Sequence, residues 1–208
     1  MRIGIVGCGG VAGEHLAAYA KEDVDIVGLA DCDKEVAQKK AAGIKSKPEV
    51  VNDYKELIDS IAPEAISICT PPVTHEEIAV YALERGIHVL CEKPMAYDEQ
   101  AAQHMRVAAG RSTAIFMPAF RHRFLPPLIR LKEMIQAGHL GEVVLFNNIF
   151  CRAAFHMETK WFTKKAVAGG GSLMDTNSHS IDFFRFLIGE VVDQKAVMHR
   201  HFKSTDVE

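Results

Sequence analysis

Short apolar runs recur along the first 120 positions: RIGIV at 2–6, DIVGLA at 25–30, AISICT at 65–70, IHVLC at 87–91 and AIFMP at 114–118. Runs of this length, with little polar alternation, suit strands buried on both faces. Between them the apolar positions take a helical spacing. The clearest helical stretch opens at Thr74, where T-H-E-E sets Glu77 at the third helical position and predicts a capping box. It closes at Gly86, placed for the left-handed residue that follows a helix. Strand, helix and strand in this order predict βαβ units on a mainly parallel sheet, because parallel neighbours need a crossover connection. The expected class is α/β, doubly wound, for this half of the chain.

Composition narrows the class of partner. The chain has 208 residues, 48% hydrophobic and 25% charged, as ordinary globular domains do. No apolar run approaches the roughly 20 residues of a membrane span, and MRIGIVGCGG breaks at glycines before it could form a signal-peptide core. A cytoplasmic protein with no membrane partner is expected. Cys8, Cys32, Cys69, Cys91 and Cys151 are odd in number and lack any C-x-x-C pair, which argues for reduced thiols and for no metal site. Four of the five sit in or beside apolar runs, where burial is the expected role. A net charge of −3 without a basic block offers no footprint for nucleic acid. A small-molecule ligand fits better.

The first strand runs into GCGGVAG, which reads G-x-G-x-x-A from Gly7 through Gly9 to Ala12, with Gly10 and Val11 between. In a dinucleotide fingerprint the first glycine turns the chain, the second admits the pyrophosphate to the backbone, and the small third residue lets helix and sheet pack. The helix start then offers N–H groups and a positive dipole end. Taken alone, the pattern equally suits an ordinary glycine-rich turn. Asp31, at the end of the second strand, stands where a carboxylate would accept hydrogen bonds from the adenosine ribose. Asp33 follows and no Arg adjoins it, so NAD is favoured over NADP as cofactor.

Two further strand ends carry chemistry. In ICTPPVTH (68–75), Thr70 and Pro71 leave the sheet abruptly, since proline donates no ladder hydrogen bond. They are candidates to line the cofactor, as is His75, for which the first turn of a helix is an equally ordinary role. In VLCEKPMA (89–96), Glu92 and Lys93 leave a parallel strand at the same edge, and Pro94 admits a cis peptide. A lysine there can polarise a carbonyl or stabilise an alkoxide. Without that context, a solvated Glu-Lys pair in a loop reads the same.

GCGGVAG, Asp31, TPPVTH and CEKP, in this order and spacing, resemble the Gfo/Idh/MocA oxidoreductases. The resemblance extends through FRHRF (120–124) to GGGSLMDTNSHSIDFF (169–184), which is similar to the family's glycine-rich segment followed by D-x-x-x-H. It implies catalytic roles for Lys93, Asp175 and His179. Independently, 172–188 predicts one helix closed by Gly189, on which Asp175 and His179, four apart, share a face. A structural i,i+4 hydrogen bond is the plainer account of that spacing. The resemblance further implies a Rossmann domain over 1–121 and an α+β domain with an open, largely antiparallel sheet over 122–208, through which family members form homo-oligomers.

The implied reaction is reversible oxidation of a secondary alcohol of a sugar, polyol or inositol with NAD. His179 would act as general base, Lys93 would stabilise the alkoxide, and Asp175 would bind a substrate hydroxyl or orient His179. Members of the family continue well beyond this length, so the chain is expected to be a fragment. EVVLFNNIFCR (142–152) and VVDQKAVMHRHF (191–202) would be the first strands of its second sheet. Residues 153–168, with His156, Lys160 and Trp161, are weaker candidates for substrate contact, and packing suits Trp161 better. Two alternatives stay open: an NAD-dependent glycosidase of the same family, and a non-catalytic NAD-binding or regulatory protein.

Overall fold

The five apolar runs are strands, and a sixth joins them. The computed structural model describes residues 1–150, 160–199 and 205–207, in two units, Met1–Ala119 and Phe120–Glu208. In the first unit the elements follow as β1 (Arg2–Val6), α1 (Gly10–Tyr19), β2 (Asp25–Ala30), α2 (Lys34–Ala41), β3 (Glu49–Val51), α3 (Tyr54–Glu56), β4 (Ala65–Ile68), α4 (His75–Leu83), β5 (His88–Cys91), α5 (Glu99–Arg111) and β6 (Phe116–Pro118). All neighbouring strands pair in parallel, in the order β3-β2-β1-β4-β5-β6. This is the doubly wound order whose direction reverses between β1 and β4, the crevice where such folds bind ligands.

Two apolar clusters pack the sheet. Ile3, Ile5, Leu29, Ala12 and Ala37 form one, and Val6, Ile66, Ile68, Ile78, Leu83 and Met105 belong to the other. Each of the larger aliphatic side chains among them contributes about 2 kcal/mol on removal from water. Gly4 and Gly28 stand opposite each other across β1 and β2. A Cβ at Gly4 would lie 2.7 Å from Leu57 Cδ2, and one at Gly28 2.9 Å from Ile61 Cδ1, so their bareness lets the π-turn Leu57–Ile61 rest on the sheet.

The predicted capping box at Thr74 is not formed. Pro72–Thr74 is already a 3-10 turn, so Thr74 has helical rather than extended backbone angles. Its hydroxyl oxygen lies 2.8 Å from Thr70 Oγ1 and 2.9 Å from Pro71 O, while Glu77 instead accepts a hydrogen bond from Tyr54. Gly86 does adopt the left-handed conformation, at φ 73°.

The second unit contains α6 (Pro126–Gln136), α7 (Lys165–Ala168), α8 (Ser172–Asp175) and α9 (Ser178–Leu187). Among its described residues there is no strand, so the expected strands at 142–152 and 191–202 are absent over 142–150 and 191–199. An extended segment becomes a strand only when a neighbour takes up its N–H and C=O groups, and neither segment has a ladder partner there. Residues 151, 152 and 200–202, and His156, lie outside the described residues.

The single helix expected over 172–188 is also broken. Ser178 Oγ donates to the Asp175 carbonyl, and Asn177 N–H reaches back to Ser172 O at 2.8 Å, which widens the last turn of α8. Ser, Thr and Asn side chains compete with the helical ladder in this way. Asp175 therefore ends one helix and His179 stands in the first turn of the next.

Candidate functional site

The strand β1 turns at Gly7, whose φ of 87° is the left-handed region that suits glycine. A Cβ there would sit 2.8 Å from the backbone C of Cys69 and N of Thr70, so β4 and the turn approach more closely than another residue allows. Gly9 caps α1 and Gly10 opens it, and a Cβ on either would meet nothing within 4 Å. Open space in front of a helix N-terminus is the cradle a pyrophosphate needs. Ala12 is wholly buried against the sheet, while Val11 is exposed.

Asp31 closes the same edge from β2. Its Oδ2 accepts from Cys8 N–H at 2.6 Å and its Oδ1 from Asp33 N–H at 2.9 Å. The two bonds fix the carboxylate against the glycine turn and leave lone pairs for hydroxyl donors. Asp33 caps α2, accepting from Glu35 and Val36 N–H. Burial, with the Asp31 charge, pushes the Cys8 thiol up to about 12. Cys69 and Cys91 are likewise raised by burial, so these three thiols are inert core groups. Cys32 is exposed, and Cys151 lies outside the described residues.

Beyond β4, Thr70 and Pro71 begin the loop to α4, and beyond β5 come Glu92 and Lys93, with Lys93–Pro94 cis. His75, a candidate to line the cofactor, is instead wholly buried. Its Nε2 lies 2.8 Å from Thr70 O and its Nδ1 3.0 Å from Pro94 O, so carbonyls of the two loops draw the ring inward and it joins them. Burial lowers the His75 pKa from its ordinary value, against the carbonyl contacts that favour its charged form. A groove of about 1010 Å³ between α4 and α5 is lined by neither the glycine turn nor Glu92 and Lys93.

In the second unit, His179 is buried at the start of α9. The FRHRF segment packs on that helix: the His122 ring lies tilted against His179 at 4.3 Å between centroids, and Phe120 lies 6.4 Å away. Arg123 clasps the buried Asp182 through Nε at 2.9 and 3.0 Å. FRHRF is thus an anchor for α9, a function its sequence alone does not reveal. Trp161 is half-exposed, with Phe162 edge-on at 5.6 Å.

Two residues outside these motifs connect to Glu92 from the interior of the first unit, His15 in α1 and, one contact further, Ser67 in β4. His15 Nε2 lies 2.9 Å from Glu92 Oε1. Their separation of 77 positions leaves no local signal.

Comparison with known proteins agrees with the geometry. Residues 1–120 match the Gfo/Idh/MocA family described as "Oxidoreductase family, NAD-binding Rossmann fold", and residues 128–208 match the "GFO/IDH/MocA C-terminal domain". D-glucoside 3-dehydrogenase of Escherichia coli is 31% identical over 192 residues, covering 91% of this chain and 54% of that protein. Inositol 2-dehydrogenase 4 of Saccharopolyspora erythraea is 32% identical, covering 99% of this chain and 58% of its own length. A solved structure of levoglucosan dehydrogenase in complex with NADH superposes with a TM-score of 0.82 at 28% identity, covering 91% of this chain and 54% of that one. The chain spans about half the length of the curated relatives it matches.

Proposed function

This chain belongs to the Gfo/Idh/MocA oxidoreductase family, and we propose that it is an NAD-dependent dehydrogenase acting on a secondary alcohol of a sugar, polyol or inositol. The observation that carries the reading is the gathering of the glycine turn, Asp31, Thr70, Pro71 and Lys93 at the carboxyl ends of four neighbouring parallel strands, β2, β1, β4 and β5. Relatives named as dehydrogenases of D-glucosides, levoglucosan and inositol support a ring-borne hydroxyl as the substrate group.

Gly7, Gly9, Gly10, Val11 and Ala12 would hold the pyrophosphate at the head of α1, and Asp31 the adenosine ribose. Asp31 and Asp33 repel a 2′-phosphate, which favours NAD over NADP. Held there, NAD would supply the hydride acceptor for the alcohol carbon. The Lys93 ammonium lowers the cost of the alkoxide that forms as the hydroxyl proton leaves. His179 takes that proton as general base, and Asp175 binds a neighbouring hydroxyl or steadies the imidazole. Thr70 and Pro71 shape the wall beside the ring, and Glu92 anchors the turn that bears Lys93.

The test is NADH formation by the purified chain from NAD+ with D-glucose, levoglucosan or myo-inositol, for wild type, Lys93→Ala and His179→Ala. The expected result is turnover reduced about a hundredfold or more in both variants, with NAD+ binding retained. Turnover untouched by Lys93→Ala rejects its role.

A further inference from the structure

Polar side chains form a continuous hydrogen-bonded line that ends at the turn bearing Lys93. Tyr19 Oη lies 2.6 Å from Ser67 Oγ, Ser67 Oγ lies 3.3 Å from His15 Nδ1, and His15 Nε2 lies 2.9 Å from Glu92 Oε1. Lys93 N–H then donates to Glu92 Oε2 at 3.1 Å. Ser67 is wholly buried in the middle of the sheet, and the side chains of His15 and Glu92 are 9% and 16% exposed.

The polarity of the line follows from its end. An ionised Glu92 only accepts, so His15 Nε2 carries a proton and donates. With a neutral ring, Nδ1 accepts from the Ser67 hydroxyl, whose oxygen accepts from Tyr19. Burial raises the Tyr19 phenol above its ordinary range, which keeps that proton in place. Burial also works to raise the Glu92 carboxyl, but the hydrogen bond from His15, with the N–H and charge of Lys93, outweighs it and holds the carboxyl below its ordinary value. Every donor in the line meets an acceptor, the condition under which a buried polar network specifies one arrangement.

We propose that His15 is a positioning residue for the reaction, setting the turn that presents Lys93 by holding the Glu92 carboxylate in one orientation. The inference rests on the role proposed above for Lys93. His15 rides on α1, whose first residue, Gly10, belongs to the glycine turn. The same helix that would receive the pyrophosphate therefore also holds the catalytic lysine's turn, and it does so through one imidazole.

The experiment is steady-state turnover of NAD+ with whichever of D-glucose, levoglucosan and myo-inositol reacts fastest. The variants are His15→Ala, His15→Gln, Glu92→Gln, the double variant His15→Ala/Glu92→Gln, and Lys93→Ala, each checked by thermal melting and NAD+ calorimetry. His15→Ala is expected to lower kcat by about 10- to 100-fold, the cost of a small misplacement at a reacting centre, with KM and NAD+ affinity within about threefold of wild type. Gln, which can also donate to Glu92, restores most of kcat, and His15→Ala adds little on the Glu92→Gln background. Additive losses, or His15→Gln as poor as His15→Ala, mean ordinary packing and overturn the inference. Wild-type kcat in His15→Ala while Lys93→Ala is inactive overturns it and leaves the proposed function standing. If His15→Ala does not fold, an unchanged kcat in Glu92→Gln overturns it. No turnover lost in Lys93→Ala overturns the inference together with the role proposed for Lys93, and no turnover by wild type overturns the inference and the proposed function together.

Discussion

The rings of His122 and His179 lie 4.3 Å apart between centroids, with their planes 59° to each other. Phe183 backs His122 at 5.1 Å. The imidazole proposed as general base is thus held by a second imidazole from FRHRF, which fixes the orientation of its ring. His122→Ala is expected to lower kcat/KM about tenfold through a loosened His179, and stability by about 1 kcal/mol for the lost ring pair. His122→Phe keeps the ring contact and most of both. Steady-state kinetics and urea unfolding check this, and wild-type kinetics in His122→Ala would remove the positioning role.

The glycines of the turn divide into two kinds. Gly7→Ala forces a left-handed alanine against the backbone of Cys69 and Thr70 at 2.8 Å, at a cost of about 3 kcal/mol from the backbone conformation and the overlap together. Gly9→Ala has no clash, with no atom within 4 Å, so stability changes by about 1 kcal/mol or less, the reduced unfolded-state entropy set against alanine's poorer N-cap preference. NAD+ affinity nevertheless falls by about tenfold or more, because the added methyl takes space proposed for the pyrophosphate. Melting curves beside NAD+ titrations separate the two, and Gly9→Ala with undiminished affinity would move the pyrophosphate elsewhere.

His75 links stability to pH. Burial sets its folded pKa below the unfolded value of 6.5. The unfolded chain then binds more protons than the folded one between the two values, so this contribution is complete above pH 6.5 and is lost as pH falls from there toward the folded pKa. Urea unfolding of wild type and His75→Leu from about pH 5 to 8 measures it. The variant is expected to lose about 3 kcal/mol at neutral pH, through the one ring N–H bond that a neutral imidazole donates to Thr70 O or Pro94 O and through imperfect packing, and to show a shallower fall on the acid side. Parallel pH profiles would exclude His75 as the source.

Arg123 and Asp182 make a pair in which the partners are not equivalent. Asp182 is 4% exposed on its side chain and Arg123 39%. Removing the arginine strands a buried carboxylate, so Arg123→Ala is expected to cost about 3 kcal/mol. Arg123→Ala/Asp182→Leu is expected to recover part of that loss, and chemical denaturation of the three proteins checks both.

The sheet was legible wherever burial on both faces leaves an unbroken apolar run, as in RIGIV and DIVGLA. β3 escaped because it is three residues long, directly after Pro48, and only Val51 is buried. The 142–152 and 191–202 runs have the composition of strands, but pairing depends on a neighbour that local sequence does not specify. At the site, the glycine turn and the strand ends carrying Asp31, Thr70 and Lys93 were readable, because each follows from where a parallel strand must stop. Thr74 and the Asp175 to Asn177 break were misread, since prolines and short polar side chains redirect backbone bonds within one turn. The His15–Glu92 and His122–His179 contacts were hidden because they join distant segments.

The most direct test of the central claim is calorimetric titration of the folded chain with NAD+ and with NADP+, repeated with Asp31→Ala. The account predicts micromolar binding of NAD+, weaker binding of NADP+, and a loss of about tenfold or more in NAD+ affinity when the Asp31 carboxylate is removed. A folded chain that binds neither nucleotide, or an Asp31→Ala variant that binds NAD+ as wild type does, would contradict it.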